Sequence, residues 1–296
     1  MQGMGIFGTV LEQYRIIQQR HKFYRCHGYR LNLDDPGSFN EKIVWRKIYD
    51  RNPLFPLLTD KYRSREFVVE RLGKEAGEKI LVPLLFVTED PEEIPFDDLP
   101  EEYIIKPNHG SGWHIIVEKG NPARPKEIVS KCRKWLRKTY GRRRMEWAYS
   151  EIKPLIQIEM LLKDSKGKIP TDWKFEIFNG RVGIVYLLHD RFGTPSEAIY
   201  DRDFNRLWVC TFQKDALDTE RPEAFEEIVD IVEELASDID FLRVDLYNVD
   251  GRIFFGEFTL YPASGLYRYE PVSFDLDKGE KWRLDKTNAR QFKPWF

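Results

Sequence analysis

Apolar and polar residues alternate through residues 173–177, break at Asn179-Gly180 and resume towards His189, which predicts a β-hairpin with a type I′ turn. Trp173, Phe175 and Ile177 then face a core, and Asp172, Lys174 and Glu176 share the other side. A second pair of runs, 242–247 and 252–260, flanks Asn248-Val249-Asp250-Gly251. Residues 80–87 read as a buried strand despite Pro83. Residues 103–106 and 114–117 read as strands around a glycine-bearing loop, 107–112. Residues 155–162 form a strand carrying Glu159 among apolar neighbours, and residues 200–209 supply a further short strand.

Helical spacing is found in five stretches. In 10–24, Leu11, Tyr14, Ile17 and Gln18 share a side. Ser38 and Glu41 form a capping box for a helix through Tyr49. Thr59 or Asp60 caps the next helix, with Tyr62, Phe67, Val68 and Leu72 inward and Gly73 as its stop. Pro125 opens a helix to about residue 140 that buries Ile128, Val129, Cys132, Trp135 and Leu136. Thr219 and Pro222 open the last, with Phe225, Ile228, Val229, Val232 and Leu235 as its stripe.

The 296 residues suffice for a substantial core in one large domain or two to three lobes. With 47 basic and 49 acidic residues, the net charge of -2 points away from nucleic acid as a partner. Charge is uneven locally: 89–102 is acid-rich, whereas 131–144 holds eight Lys or Arg and no acid. That stretch is either the wet face of a helix or a site for a polyanionic partner. Cys26, Cys132 and Cys210 are distant from one another, which argues against a disulfide frame or structural zinc and fits a reducing, cytoplasmic setting. No run reaches the length of a transmembrane helix, and no signal peptide is expected. The basic, aromatic end of the first helix allows either packing on the body or contact with a membrane surface.

The second hairpin decides where its acids lie. With Asp250-Gly251 as a two-residue turn, Asp245 would face Gly256 and Glu257 would project through the other side. With Val249-Asp250-Gly251 as a three-residue loop, Arg243, Asp245, Glu257 and Thr259 share a face, with Asp245 opposite Phe255 and Arg243 opposite Glu257. The second register is preferred, because neighbouring carboxylates with an oxygen donor beyond suit Mg²⁺. A solvated hairpin face is the alternative. Elsewhere, Lys61 sits at the start of a helix, where a cation needs an anion or a solvated tip. Lys106 leaves its strand towards a loop whose backbone N–H groups can cover phosphate. His109 and His114 read as ligands or as ordinary hydrogen-bonded side chains. Glu159 needs a partner such as a nucleobase amine, unless it ends its strand in water.

Neither a Walker loop nor the protein-kinase signature set occurs. The segments FNEKIVWRKIYDRNP, LTDKYRSREFV, YIIKPNHGSGWHII, DWKFEIFNG and RVDLYNVDGRIFFGEFTLYPASG resemble the ATP-grasp superfamily, in its TupA-like branch of teichuronopeptide and surface-polysaccharide biosynthesis. The resemblance implies an α+β fold in which two α+β lobes clamp ATP between antiparallel sheets. It divides the chain into a helical segment 1–60, a lobe 61–158 with the phosphate lid, a lobe 159–276 with the metal site, and a tail 277–296. It implies that Lys61 and Lys106 hold phosphates, that His109, Gly110, Ser111 and Gly112 form the lid, and that Glu159, Met160 and Leu162 meet adenine. Asp245 and Glu257, with Thr259, would bind Mg²⁺, Arg243 would stabilise an acyl phosphate, and Lys174 would be a further phosphate or carboxylate contact. Thr259 stands where many relatives carry Asn, and the helical 1–60 replaces the usual substrate-binding domain, so acceptor recognition is expected elsewhere. The expected activity is ADP-forming carboxylate–amine ligation on small molecules, with a uronic-acid glycan among the candidate carboxylates. A kinase and a non-catalytic nucleotide- or glycan-binding component are the alternatives.

Overall fold

In the computed structural model, which describes residues 6–290 and side chains from residue 11 onward, α1 (Ile6–His27) turns Ile16, Gln19 and Phe23 inward. The stripe expected to be buried is the outer one, with Leu11, Tyr14 and Ile17 at 46%, 56% and 62% exposure. Helical spacing reveals stripes but not which one is covered, and here Phe23 anchors the opposite side to Leu31, Leu33, Val44, Trp45 and Ile48. The capping box at Ser38 and Glu41 starts α2 (Phe39–Tyr49), whose Arg46 is wholly buried. Its guanidinium pairs with Asp240, donates to the Phe241 carbonyl at 2.7 Å and lies 4.5 Å from the Trp282 ring centre. One buried cation therefore ties α2 to the sheet and to the chain after it.

Short α3 (Phe55–Thr59) leads to Asp60, whose carboxylate accepts from the N–H groups of Tyr62 and Arg63. This cap closes a turn, and α4 (Ser64–Leu72) begins after it, ending at Gly73 with φ 80°. Ile80, expected to open a strand, instead ends α5 (Lys74–Ile80), and β1 (Leu84–Thr88) starts only beyond Pro83. Proline lacks the N–H a ladder needs, so the strand begins after it and lies at a sheet edge. With β2 (Tyr103–Pro107), β3 (Ile115–Val117), α6 (Pro125–Leu136) and β4 (Ile156–Met160), it completes the smaller lobe. Its antiparallel sheet has the order β1-β4-β2-β3 and packs with Ile128, Cys132 and Trp135 of α6.

The larger sheet has the order β10-β9-β5-β6-β7-β8, from β5 (Thr171–Phe178), β6 (Arg181–His189), β7 (Ser196–Tyr200), β8 (Lys214–Asp215), β9 (Phe241–Val249) and β10 (Arg252–Thr259). The strand expected over 200–209 is absent: Tyr200 ends β7, and the chain then bends back to bridge it at Arg206. Between β8 and β9 runs α7 (Phe225–Leu235), which buries Phe225, Ile228, Val229, Val232 and Leu235 with Trp173, Phe175 and Ile177 of the sheet. The last helix, α8 (Ser273–Lys281), packs on α2. The division expected after residue 158 falls inside β4, the one after 276 falls inside α8, and residues 1–5 and 291–296 lie outside the described residues.

The β9–β10 turn corrects the expected register. Asp250 and Gly251, at φ 50° and 90°, form a two-residue turn, pairing Arg252 with Val249 and Phe255 with Leu246. Strict alternation from there would separate the acids. A bulge between Phe255 and Glu257 instead absorbs Gly256 and sets Glu257 opposite Asp245 and Thr259 opposite Arg243. The four side chains share a face after all, by a different route. A Cβ on Gly256 would lie 3.0 Å from the Asp245 carbonyl oxygen and 3.2 Å from the Tyr247 ring, so a side chain there crowds backbone. Gly256→Val is expected to lower stability by about 1–3 kcal/mol in urea unfolding; an unchanged midpoint would show that the bulge tolerates a side chain.

Candidate active site

Three rows of residues cross the larger sheet on the face away from α7. Asp172 faces Tyr247; Lys174, Asp245 and Glu257 stand in line; Glu176, Arg243 and Thr259 form the third row. Period-two alternation on β5 and β9, plus the bulge on β10, places all eight together. Arg243 grips Asp245 with both ends of its fork, Nε to Oδ1 at 2.6 Å and Nη2 to Oδ2 at 2.7 Å, and donates to Thr259 Oγ1 at 3.1 Å. Burial opposes the Arg243 charge, but Asp245 outweighs it and holds the guanidinium above its ordinary range. Lys61 reaches across to Glu257. Burial would raise the Glu257 carboxyl; the charge and hydrogen bond of Lys61 overcome this and hold it down to about 2. Lys61 lies in the turn before α4 rather than in the helix, and the anion it takes is Glu257.

Lys174 differs from its neighbours. Among the described residues no carboxylate lies within 4 Å of its Nζ, and burial, then Arg243, lowers its pKa. Asp172 pairs with Arg191 at 2.9 Å, and Glu176 pairs with the fully buried Lys278 at 2.7 Å. Two cations that sequence reasoning passed over therefore serve this face. The alternation on β5 pointed to the acids, but nothing local marked their partners.

The smaller sheet contributes Lys106, Gln157 and Glu159. Lys106 stands opposite Gln157, and Glu159 lies two residues further along the same face. The Glu159 carboxylate is taken by Lys106 Nζ at 2.6 Å and Arg65 Nη1 at 3.4 Å. Gln157 is wholly buried, and both polar atoms of its side-chain amide lack a hydrogen-bond partner among the described residues. Such a group costs about 1–3 kcal/mol when left unpaired. It too was missed, although its spacing of two from Glu159 was a usable signal.

Between the sheets, Lys106, Glu159, Met160, Leu162, Asp172 and Tyr247 line one cleft. Met160 is 42% exposed, and its N–H is taken by the Pro83 carbonyl at 3.0 Å. The Leu162 N–H makes no hydrogen bond among the described residues. In the 108–114 loop, Ser111 and Gly112 are exposed, while Gly110 is covered by the Trp113 ring. His109 departs from the lid role: its buried ring contacts Asn108 Oδ1 and the Trp135 carbonyl at 3.2 Å each, and burial lowers its pKa. It fastens the base of the loop to α6. His114 packs its ring on Phe192 at 4.9 Å.

No cluster of three acid, His or Cys side chains suited to a metal exists among the described residues. The donors are two facing carboxylates and the Thr259 hydroxyl. This set fits Mg²⁺, which commonly takes one or two carboxylates and completes its octahedron with water and phosphate oxygens. It suits no softer metal.

Among solved structures, the chain is similar to a D-alanine–D-alanine ligase from Bacillus anthracis complexed with ATP, at 16% identity and a TM-score of 0.42, covering 72% of this chain and 57% of that one. It is also similar to the ATP-grasp ligase PsnB complexed with a phosphomimetic variant of its minimal precursor, Mg and ADP, at 14% identity, TM-score 0.41, and 75% and 55% coverage. A third is N5-carboxyaminoimidazole synthetase from Staphylococcus aureus, at 11%, 0.38, and 69% and 44%. The chain thus spans about half the length of these proteins. No curated protein matches it. The family model described as TupA-like ATPgrasp matches residues 41–283, which take in both sheets and every residue of the face just described, and the chain belongs to that family.

Proposed function

We propose that this chain is an ATP-dependent carboxylate–amine ligase. The observation that carries the reading is the facing pair Asp245 and Glu257, flanked by Arg243 and Lys174, on the sheet face whose Asp172 and Tyr247 line a cleft with Lys106 and Glu159. Met160 and Leu162 would meet the adenine, the latter through its N–H. Lys106 and Lys61 would exchange their carboxylate partners for ATP phosphates, and Ser111 with Gly112 would fold over them from the loop. Asp245, Glu257 and the Thr259 hydroxyl would hold Mg²⁺, which when bound neutralises phosphate charge during phosphoryl transfer.

Two cations then remain for the acceptor. Among the described residues Lys174 has no carboxylate partner within 4 Å, and it stands beside Asp245, so it is suited to draw in the substrate carboxylate. That carboxylate attacks the γ-phosphorus, ADP leaves, and an amine displaces phosphate from the resulting acyl phosphate. Arg243, held rigid by Asp245 and Thr259, would stabilise the oxyanion formed in the second step, where one well-placed donor is worth about 2.7–4 kcal/mol. Asp172, Glu176 and Asp245 are buried and the other five side chains of the face half-buried, which would limit the water that reaches the acyl phosphate. Uronic acids are the carboxylates we infer first, with an amino acid as the amine, in building a capsular or cell-surface polysaccharide.

Screening uronic acids against amino acids for ADP release, with product masses, is the direct test. Release that requires both partners, with a product of amide mass, is expected; a phosphorylated product formed without amine would make the protein a kinase, and nucleotide binding without turnover across the panel would make it a binding component. With the active pair in hand, Asp245→Asn and Glu257→Gln should each cut ADP formation by roughly 100-fold or more while the circular dichroism spectrum is unchanged. Wild-type rates in both would remove the metal assignment.

The Lys61–Glu257 pair also sets a pH dependence. Glu257 is held at about 2 against an ordinary 4.5, so its contribution to stability is complete above pH 4.5 and is lost as pH falls towards 2. The stability gap between wild type and Glu257→Gln in urea unfolding should therefore narrow over that window, and a constant gap would contradict the pairing.

A further inference from the structure

The basic side chains of 131–144 are not among the residues of the site above, yet the end of that stretch borders a second pocket of about 770 Å³, a volume typical of small-molecule sites. The pocket lies among α1, the end of α2 and the 3-10 turns at 142–144 and 147–151. Its lining carries five cationic side chains against three carboxylates. Arg290 pairs with Glu12, and Lys47 donates to Ser264 O at 2.6 Å and Oγ at 2.9 Å, with Glu146 within hydrogen-bond reach of the same serine. This leaves Arg15, Arg51 and Arg142, and among the described residues none of the three has a carboxylate within 4 Å.

Arg51 is the most telling. It is half-buried, lies 5.1 Å from the Trp147 ring centre and spends two donors on the carbonyls of Asp50 and Ile48. Burial first, and then the charge of Arg290, lowers it to about 10. A half-buried guanidinium crowded by another cation is stabilised by an oxyanion that enters. Two elements connect the pocket's surroundings to the first site. Ser264, bonded to the lining residue Lys47, lies in the 262–265 turn, a few residues after Thr259 of β10. Tyr149, on the 147–151 turn, feels the charges of both Glu146 and Glu257.

We propose that this pocket receives an oxyanion, a carboxylate or a phosphate carried by the acceptor substrate, on Arg51 with Arg15 and Arg142 at its rim. That the bearer is the acceptor rests on the ligase reading; the binding of an oxyanion does not. An acceptor so anchored would present a second acidic group behind the turn at 262–265 while its reacting carboxylate lies at Lys174.

Calorimetric titration of the full chain, without nucleotide, with D-glucuronate and separately with inorganic phosphate tests this. Saturable binding of at least one is expected. Binding of glucuronate alone marks a carboxylate site, and binding of phosphate alone a phosphoryl site. Arg51→Gln and Arg142→Ala should each weaken it by roughly tenfold or more. Arg133→Ala, on the exposed face of α6, should leave it within about twofold, as local recognition requires. Arg142 is exposed, so its variant stays readable if Arg51→Gln fails to fold. Absence of saturable binding, or equal weakening by Arg133→Ala, would overturn the proposal. Glucuronate or phosphate binding that persists in a protein never found to release ADP would sink the ligase reading and leave this one standing.

Discussion

One extra residue in β10 governs what this molecule can do. A two-residue turn at Asp250-Gly251 and strict alternation would put Asp245 and Glu257 on opposite sides of the ribbon. The bulge at Gly256 shifts the count by one, and Glu257 and Thr259 cross to the face that already holds Arg243 and Asp245. Glycine suits the position for a local reason, since a Cβ there would press on the Asp245 carbonyl and the Tyr247 ring. The turn and the bulge work together: the first sets the hand of the hairpin, the second corrects its phase.

The resulting face is expensive to bury. Desolvating ions costs several kcal/mol each, and the rows offset this by alternating sign, with Arg243 clasping Asp245, Lys278 under Glu176 and Arg191 on Asp172. Such pairs fix geometry more than they add stability. The exceptions are the groups that the proposed chemistry would use. Among the described residues Lys174 lacks a carboxylate within 4 Å and the Gln157 side-chain amide lacks a hydrogen-bond partner, and Lys61 and Lys106 hold protein carboxylates that phosphate could replace. Ligand entry would exchange ion pairs and leave little net charge uncompensated, which couples the two sheets to what lies between them.

Local chemistry made much of this legible in the sequence. Asn179-Gly180 and the alternation before it gave the β5–β6 hairpin, the stripes of α6 and α7 named their buried faces, and Ser38 with Glu41 marked the start of α2. The acids, the lysines and the glycine loop were all visible as residue types. What stayed hidden was set by distant contacts. The bulge depends on a carbonyl eleven positions away in the chain, the inward side of α1 on Phe23 meeting a pocket of later residues, and the partners of Glu176 and Asp172 on loops and a helix outside the alternating pattern. His109 shows the same limit: its place in the loop was clear, but the Trp135 carbonyl that turns its ring inward was not.

The claim on which everything else turns is that Asp245 and Glu257 jointly hold the metal against the phosphates. Crystals grown with Mn²⁺ and a non-hydrolysable ATP analogue, measured for manganese anomalous scattering, address it most directly. A peak in direct coordination with both carboxylates, with Lys61 moved onto a phosphate, is the predicted result. A peak elsewhere, with Arg243 and Lys61 still closed on the two acids, would contradict it.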